Sequence, residues 1–213
     1  MASEYVAGGV PERLVPRAAD DEALVVAGRR RGPGIAMLGM AMLVASEVTL
    51  FGTFIGTYYY LRFESAQWPP PGTPEPRVAV PLIMVGILVT SSIPMWLAAR
   101  AVQGGRLWAT RFFLVWALAV QCFYLAWAVH DFVQQLQHSV PQDNAYSSIY
   151  YVLLGADHAH VAVGVLLVAW LLGKLARGLT LYRLNATQAV AFYWHAVNLL
   201  TLVVLGVLLS ATL

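Results

Sequence analysis

Two carboxylic acids lie inside long apolar stretches of this sequence. Glu47 falls in the window from Gly32 to Leu61, and Asp157 in the window from Asn144 to Gly173. A carboxylate at the centre of a bilayer costs about 2.5 to 3.5 kcal/mol on the more lenient scale, and burial disfavours the ionised form. We therefore expect each acid to exchange protons or to contact lipid. The alternative for each is structural: a hydrogen bond that ties two helices together.

The neighbours of Glu47 predict a close helix contact. Ser46 precedes it, and Gly52 and Gly56 follow one to two turns later. Small residues spaced by four allow a second helix to approach the backbone closely. We expect another helix to pack on this small-residue face.

Asp157 is also accompanied by residues of its own helix. His160 and Gly164 follow it at i+3 and i+7, so the three share one face. His158 points about 100° away from Asp157 and need not join them. The spacing predicts a polar pair beside a gap in the helix surface.

Histidines raise the question of a metal or haem. His158 and His160 stand at i and i+2 and face different directions, which does not suit a closed metal site. A bis-histidine haem that pairs His160 with His195 is an alternative to interhelical hydrogen bonds. The single cysteine cannot build a dinuclear copper site. With no recognised catalytic motif, we expect no catalytic residue, no metal site and no cofactor in this chain.

The composition indicates which kind of secondary structure positions these side chains. Of the 213 residues, 59% are hydrophobic and 11% charged, against roughly 25% charged in a soluble average. The net charge of +2 argues against a nucleic-acid partner. Five apolar windows follow one another, each long enough to cross a hydrocarbon core of about 30 Å as a helix. They predict an all-α polytopic membrane protein with helices at about 34–61, 79–101, 109–134, 146–175 and 187–211. Pro94 predicts a kink or early end in the second.

Basic residues predict the orientation and the domains. Lys and Arg accumulate on the cytoplasmic side of short loops. Arg62 and Arg77 stand on one side of the predicted bundle, and the other side carries Arg13, Arg17, Arg29, Arg30, Arg31, Arg100, Arg106, Arg111, Lys174, Arg177 and Arg183. We therefore expect a cytoplasmic N-terminus and an outer C-terminus. Residues 1–31 are expected to form a cytoplasmic arm, and residues 32–213 a five-helix transmembrane domain.

Read in order, the polar residues resemble those of a known family. The segments that carry this resemblance are Ser46-Glu47 with Phe51, Trp68-Pro69-Pro70, Val80-Pro81-Leu82, Gly104-Gly105-Arg106, Gly155 with His160-Val161 and Gly164, and Tyr193-Trp194-His195 with Val197. Together they are similar to subunit III of the haem–copper terminal oxidases over roughly residues 33–213. Five helices match the shorter bacterial form rather than the seven-helix mitochondrial type.

The chain departs from that pattern at three positions. Asp157 occupies the place of the family's first histidine in the penultimate helix. Asn198 replaces the usual aspartate after Tyr193-Trp194-His195, and Thr201 stands where a tryptophan is common. The roles of these positions in the family therefore do not transfer directly.

The resemblance implies an accessory subunit in a bacterial plasma membrane. Such a chain binds the catalytic subunit I and other oxidase subunits, and the haem and copper belong to those partners. It binds phospholipid and supports proton uptake, and membership of a respiratory supercomplex stays open. Glu47 is the matched family glutamate, and Asp157, His160 and His195 are further proton- or lipid-related candidates. We expect structural roles for the small or polar residues Ser46, Gly52, Gly56, Gly164, Trp194 and Asn198.

Other functions compete with this one. A ubiquinol oxidase subunit III has the same fold and differs in the electron donor, although Ser46-Glu47 rather than a Ser-Asp step favours the cytochrome c type. A small proton or solute carrier would use Glu47 and Asp157, but the sequence has no inverted repeat. A membrane cytochrome would use His160 and His195 as haem ligands.

Overall fold

The computed structural model describes residues 34–73 and 79–212. Its regular elements in these ranges are helices: α1 (Ile35–Glu64), α2 (Ala79–Thr90), α3 (Ser92–Gln103), α4 (Leu107–Leu136), α5 (Ala145–Leu175) and α6 (Leu181–Leu209), followed by a 3-10 turn at Ser210–Thr212. The expected arm at residues 1–31 lies outside the described residues. Within them the all-α prediction is confirmed.

Five spans are long and apolar enough to cross a membrane, and α2 and α3 together form the second of them, Ala79–Gln103. The predicted start of the last helix at residue 187 is wrong, because α6 begins at Leu181. The Thr180 side chain accepts a hydrogen bond from the Arg183 backbone N–H and caps the helix. The apolar windows were drawn between charged residues and therefore exclude this first turn, which contains Arg183. A transmembrane helix can nevertheless begin in the polar headgroup region of the membrane.

The second span is broken at Ser91, as Pro94 predicts. Proline lacks a backbone N–H and its ring collides with the carbonyl four residues earlier, here that of Thr90. The Ser91 N–H turns back to the Leu88 carbonyl at 3.0 Å, and the Thr90 hydroxyl donates to the Ile87 carbonyl at 2.6 Å. Local donors thus satisfy carbonyls around the break, as membrane helices require.

Helix α6 is the centre of the bundle, since it packs against α1, α2, α3 and α5. Its Trp194 is fully buried in an apolar cluster with residues of α3, α4 and α5. Helix α1 is the most peripheral span. It packs only on α5 and α6 among the described elements, and Phe51 and Tyr58 are its only buried residues.

The two ends of the bundle differ in chemistry. The basic end, where α1 begins and α5 ends, carries Arg100, Arg106, Arg111, Lys174, Arg177 and Arg183. There Arg111 donates to the Leu175 carbonyl and Arg183 to the Gly178 carbonyl. At the aromatic end, where α1 ends and α5 begins, Trp68 packs edge-on against Tyr58 and Tyr146. Arg62 there donates to the Ser210 carbonyl at 2.7 Å.

Candidate functional site

Glu47 and His160 meet between α1 and α5. Glu47 Oε2 lies 2.5 Å from His160 Nε2, and 113 positions of sequence separate the two residues. Each is roughly halfway along a helix of about 30 residues, so both lie near the middle of a bilayer about 30 Å thick. The side chains are 17% exposed for His160 and 19% for Glu47. The pair therefore sits at the edge of the bundle rather than deep in its core.

The hydrogen bonds of His160 define how this pair holds a proton. His160 Nδ1 lies 2.6 Å from the Ala156 carbonyl, which can only accept, so Nδ1 donates. The proton between Nε2 and Glu47 can then reside on either partner. A neutral carboxylic acid donating to imidazole and a carboxylate paired with imidazolium have the same total charge. Proton movement along this bond thus changes no net charge in the membrane.

Two aromatic residues hold the histidine in place. The fully buried Phe51, one turn after Glu47 on α1, meets the His160 ring edge-on, with ring centroids 5.2 Å apart. The Tyr193 hydroxyl on α6 donates to the His160 backbone carbonyl at 3.2 Å. Three helices therefore contribute to the position of one imidazole.

Asp157 has a different partner and a different environment. It is only 2% exposed, and Thr201 on α6 donates a 2.7 Å hydrogen bond to its Oδ1. The expected face shared with His160 exists, but the two side chains do not bond to each other. His160 turns to α1 and Asp157 to α6, so the two intramembrane acids belong to separate sites.

A third polar group lies at the helix break. The Trp194 indole N–H donates to Ser91 Oγ at 3.0 Å. Asn198 Nδ2 lies 3.2 Å from the same oxygen and 2.9 Å from Ser92 Oγ, and it also reaches the Leu88 carbonyl at 3.4 Å. Trp194 and Asn198 therefore connect α6 to the junction of α2 and α3.

Gly164 and the pair Gly52 and Gly56 differ in their surroundings. A Cβ at Gly164 would lie 3.6 Å from Gln121 Nε2 and 3.8 Å from the Tyr193 ring, at ordinary van der Waals distance, so neighbours pack directly against this position. At Gly52 and Gly56 a Cβ would meet none of the described residues within 4 Å. The expected close approach to these two glycines is therefore wrong within the described chain, because α1 packs through its opposite face. Ser46, exposed on α1, donates to the Leu43 carbonyl of its own helix.

The contacts of His160 do not suit a haem held between His160 and His195. Both ring nitrogens of His160 are engaged, by Glu47 and by the Ala156 carbonyl, so neither has a lone pair free for iron. His195 is half-buried on α6 and forms no side-chain hydrogen bond among residues 34–73 and 79–212. No group of three or more potential metal ligands occurs in those ranges.

Several residues of these sites were not predicted as site residues. They are Phe51, Ser91, Ser92, Gln121, Tyr193 and Thr201. One signal was available: Trp194, Asn198 and Thr201 follow one another at i, i+4 and i+7, which places a polar stripe on one face of α6. Their partners at the junction of α2 and α3 are distant in sequence and carried no comparable signal, whereas Asp157, the partner of Thr201, was identified as an acid in an apolar window.

A family model described as cytochrome c oxidase subunit III matches residues 31–209. The chain belongs to the cytochrome c oxidase subunit III family. This membership confirms the resemblance seen in the polar residues, and the match covers all five spans.

Individual relatives are similar over most of the chain. A cytochrome c oxidase subunit 3 of Thermostichus vulcanus is 28% identical over 185 residues, which are 84% of this chain and 89% of that protein. One of Alkalihalophilus pseudofirmus is 29% identical over 76% of this chain and 79% of its own length. A heme-copper oxidase subunit I+III of Aeropyrum pernix is 31% identical over 75% of this chain, a region that makes up 21% of that longer protein.

Proposed function

We propose that this chain is the accessory subunit III of a respiratory haem–copper oxidase and that it supports proton uptake and binds phospholipid there. Family membership carries the first part of this statement. The Aeropyrum pernix relative is named as subunit I and subunit III in one protein, and a fusion of that kind supports direct association of this chain with catalytic subunit I. Haem and copper would then reside in the partner subunits.

The Glu47–His160 pair is the proposed proton-active site. Its 2.5 Å separation lets a proton pass between carboxyl and imidazole without a change in total charge. Partial exposure of both side chains at the edge of the bundle leaves them within reach of water, lipid or a partner subunit. A group that takes up and releases protons here would help to keep a neighbouring proton path supplied during turnover.

Lipid binding follows from the same position. Helix α1 is embedded on one side only, so its other faces meet acyl chains or a partner subunit. A phospholipid that lies along α1 would contact the Glu47–His160 pair near the ends of its acyl chains, because the pair lies near the middle of the bilayer. Lipid at this place would control how much water reaches the pair.

The remaining assignments concern the assembly. We propose a bacterial plasma membrane with the basic end of the bundle towards the cytoplasm, as the distribution of Lys and Arg favours. The electron donor, cytochrome c or a quinol, is a property of partner subunits, and so is membership of a supercomplex. Oxygen uptake by the purified oxidase with each donor in turn distinguishes the two types.

The test replaces Glu47 by Gln in the assembled oxidase. The amide keeps the shape and the hydrogen bond to His160 but does not titrate, so assembly should persist. Proton uptake should slow, activity should decay sooner during continuous turnover, and the amount of co-purified phospholipid should change. Glu64→Gln is the matched control, since it removes a carboxyl from the last residue of the same helix.

Two results would contradict the proposal. If the Glu47→Gln oxidase sustains turnover and retains lipid like the wild type, the pair has no functional role. If this chain never co-purifies with a haem-containing partner but transports protons or solutes by itself, the carrier alternative is correct.

A further inference from the structure

A cavity of about 60 Å³ lies among α2, α4, α5 and α6. Helix α1 contributes no residue to its wall, so the cavity is separate from the Glu47–His160 pair. Most of the lining is apolar, with Val85, Trp127, Leu154 and Val204 among the residues that form it. The polar lining residues are concentrated towards its two ends.

The inner end of the cavity is formed by Asp157, Thr201 and Tyr124. All three are at least 97% buried. The Thr201 hydroxyl lies 2.7 Å from Asp157 Oδ1 and 3.1 Å from the Val197 carbonyl, both of which can accept its proton. The Tyr124 hydroxyl makes no hydrogen bond to another described residue. The Asp157 carboxyl and the Tyr124 hydroxyl therefore present polar atoms to the cavity at roughly the mid-depth of the bundle.

The outer end lies at the aromatic end of the bundle. Its polar residues are Asp131, Gln135 and Tyr150, all partly exposed. Gln135 donates to Asp131, and the Tyr150 hydroxyl donates to Gln135 at 2.7 Å. From Asp131 to Tyr124, seven residues along α4 span about 10 Å at 1.5 Å each. Burial increases over this distance, so the cavity opens towards the aromatic end and closes at Asp157.

We propose that this cavity is a water-filled passage through which Asp157 exchanges protons with the aqueous phase at the aromatic end alone. An ionisable group in a membrane is tolerated when it faces a water-filled cavity. A water molecule needs roughly 10–15 Å³ of such space, so about four to six fit in the cavity. Their hydrogen-bond partners are the polar groups at the two ends and, between the ends, one another. In the exchange, the carboxyl gives its proton to a cavity water and regains one from the same chain of waters.

The groups that face Asp157 are compatible with this exchange. Helix α4 contributes Tyr124 and, further out, Asp131, and α5 itself contributes His158 and Tyr150 to the lining. The lining residues of α2 and α6 include no titratable group. His160, three residues along α5, is engaged with Glu47. The inference goes beyond the proposed role of Glu47 and does not depend on it.

Thiol accessibility tests the passage in the full oxidase reconstituted in sealed vesicles. In a Cys122→Ser background, Val204→Cys places a thiol in the cavity wall, and Val203→Cys places one on the neighbouring outward-facing residue, 43% exposed. Silver ion, which is small and charged, is added from one side, and the remaining thiols are counted by alkylation and mass spectrometry. Gln137→Cys and Gln103→Cys identify the aromatic and basic ends.

The passage predicts a reaction at residue 204 at least tenfold faster than at residue 203, and only from the side that also labels residue 137. Equal rates at 203 and 204 would overturn the proposal. So would labelling of residue 204 from the side that labels residue 103.

A second measurement requires no cysteine in the cavity. Infrared spectra of the wild-type oxidase are compared with those of Asp157→Asn to identify the Asp157 band. That band should follow a change of bulk pH, or of H₂O to D₂O, within seconds. A band that responds to neither overturns the proposal, whatever the outcome for Glu47→Gln.

Discussion

The hydroxyl of Thr201 donates a 2.7 Å hydrogen bond to Asp157 across the interface of α5 and α6. These are two of the three positions at which the chain departs from the pattern it resembles. An aspartate and a small hydroxyl residue thus stand together where a histidine and a tryptophan would be expected. The two departures are one structural unit, and the smaller side chain at 201 leaves room for the cavity beside it.

Thr201→Val should destabilise the bundle by about 0.5–2 kcal/mol, because it leaves the Asp157 carboxyl without its donor at unchanged volume. The measurement is the free energy of unfolding of the purified chain in mixed micelles. Thr201→Ser keeps the hydroxyl and is the control. A Val variant as stable as the Ser variant would show that the bond contributes nothing.

Glu47 and His160 should be energetically coupled. A double-mutant cycle with Glu47→Leu, His160→Leu and the double variant isolates their interaction. We expect coupling of about 0.6–1.7 kcal/mol. The double variant should lose less stability than the sum of the two single losses, since each single variant leaves one polar partner unsatisfied. Additive effects in the same unfolding assay would contradict the pairing.

Glycine positions should differ sharply in their tolerance of a large side chain. Gly164→Leu should cost about 1–3 kcal/mol or prevent folding, because Gln121, Tyr193 and Trp194 already surround this position. Gly52→Leu should leave the stability of the isolated chain nearly unchanged, since no described residue lies within 4 Å of the added Cβ. Thermal denaturation of the two variants side by side makes the comparison, and similar losses would refute it.

Two substitutions of Trp194 should separate the contribution of its packing to stability from the contribution of its hydrogen bond. Trp194→Ala removes a fully buried ring and should cost about 3–5 kcal/mol. Trp194→Phe keeps most of the apolar contact but removes the donor to Ser91, so about 0.5–2 kcal/mol is expected. If Phe is as damaging as Ala in the unfolding assay, the contact with Ser91 dominates and the ring itself matters little.

The spans were predictable because a bilayer imposes a strong condition on sequence: long uncharged stretches must be helices. The break near Pro94 followed from backbone chemistry alone. The start of α6 was missed because its first turn is polar and lies before the apolar window. Helix existence is thus read from composition, while helix ends depend on caps such as Thr180.

The pairing of the polar residues was much less predictable. Glu47 and Asp157 were identified from their cost in an apolar environment, yet the partner of Glu47 lies 113 residues away. The glycines show the same limit. Gly52 and Gly56 have a spacing that suits helix contact, but only the packed bundle shows which face of α1 meets α5 and α6.

The long separation of Glu47 from His160 also has a consequence for biosynthesis. Helix α1 leaves the ribosome before the other described helices, and at roughly 5–20 residues per second His160 follows Glu47 after about 6–23 seconds. During that interval the Glu47 carboxyl must remain in or near the lipid without its partner. Closure of the Glu47–His160 bond is therefore a late assembly event, available only after translation has produced the fourth span.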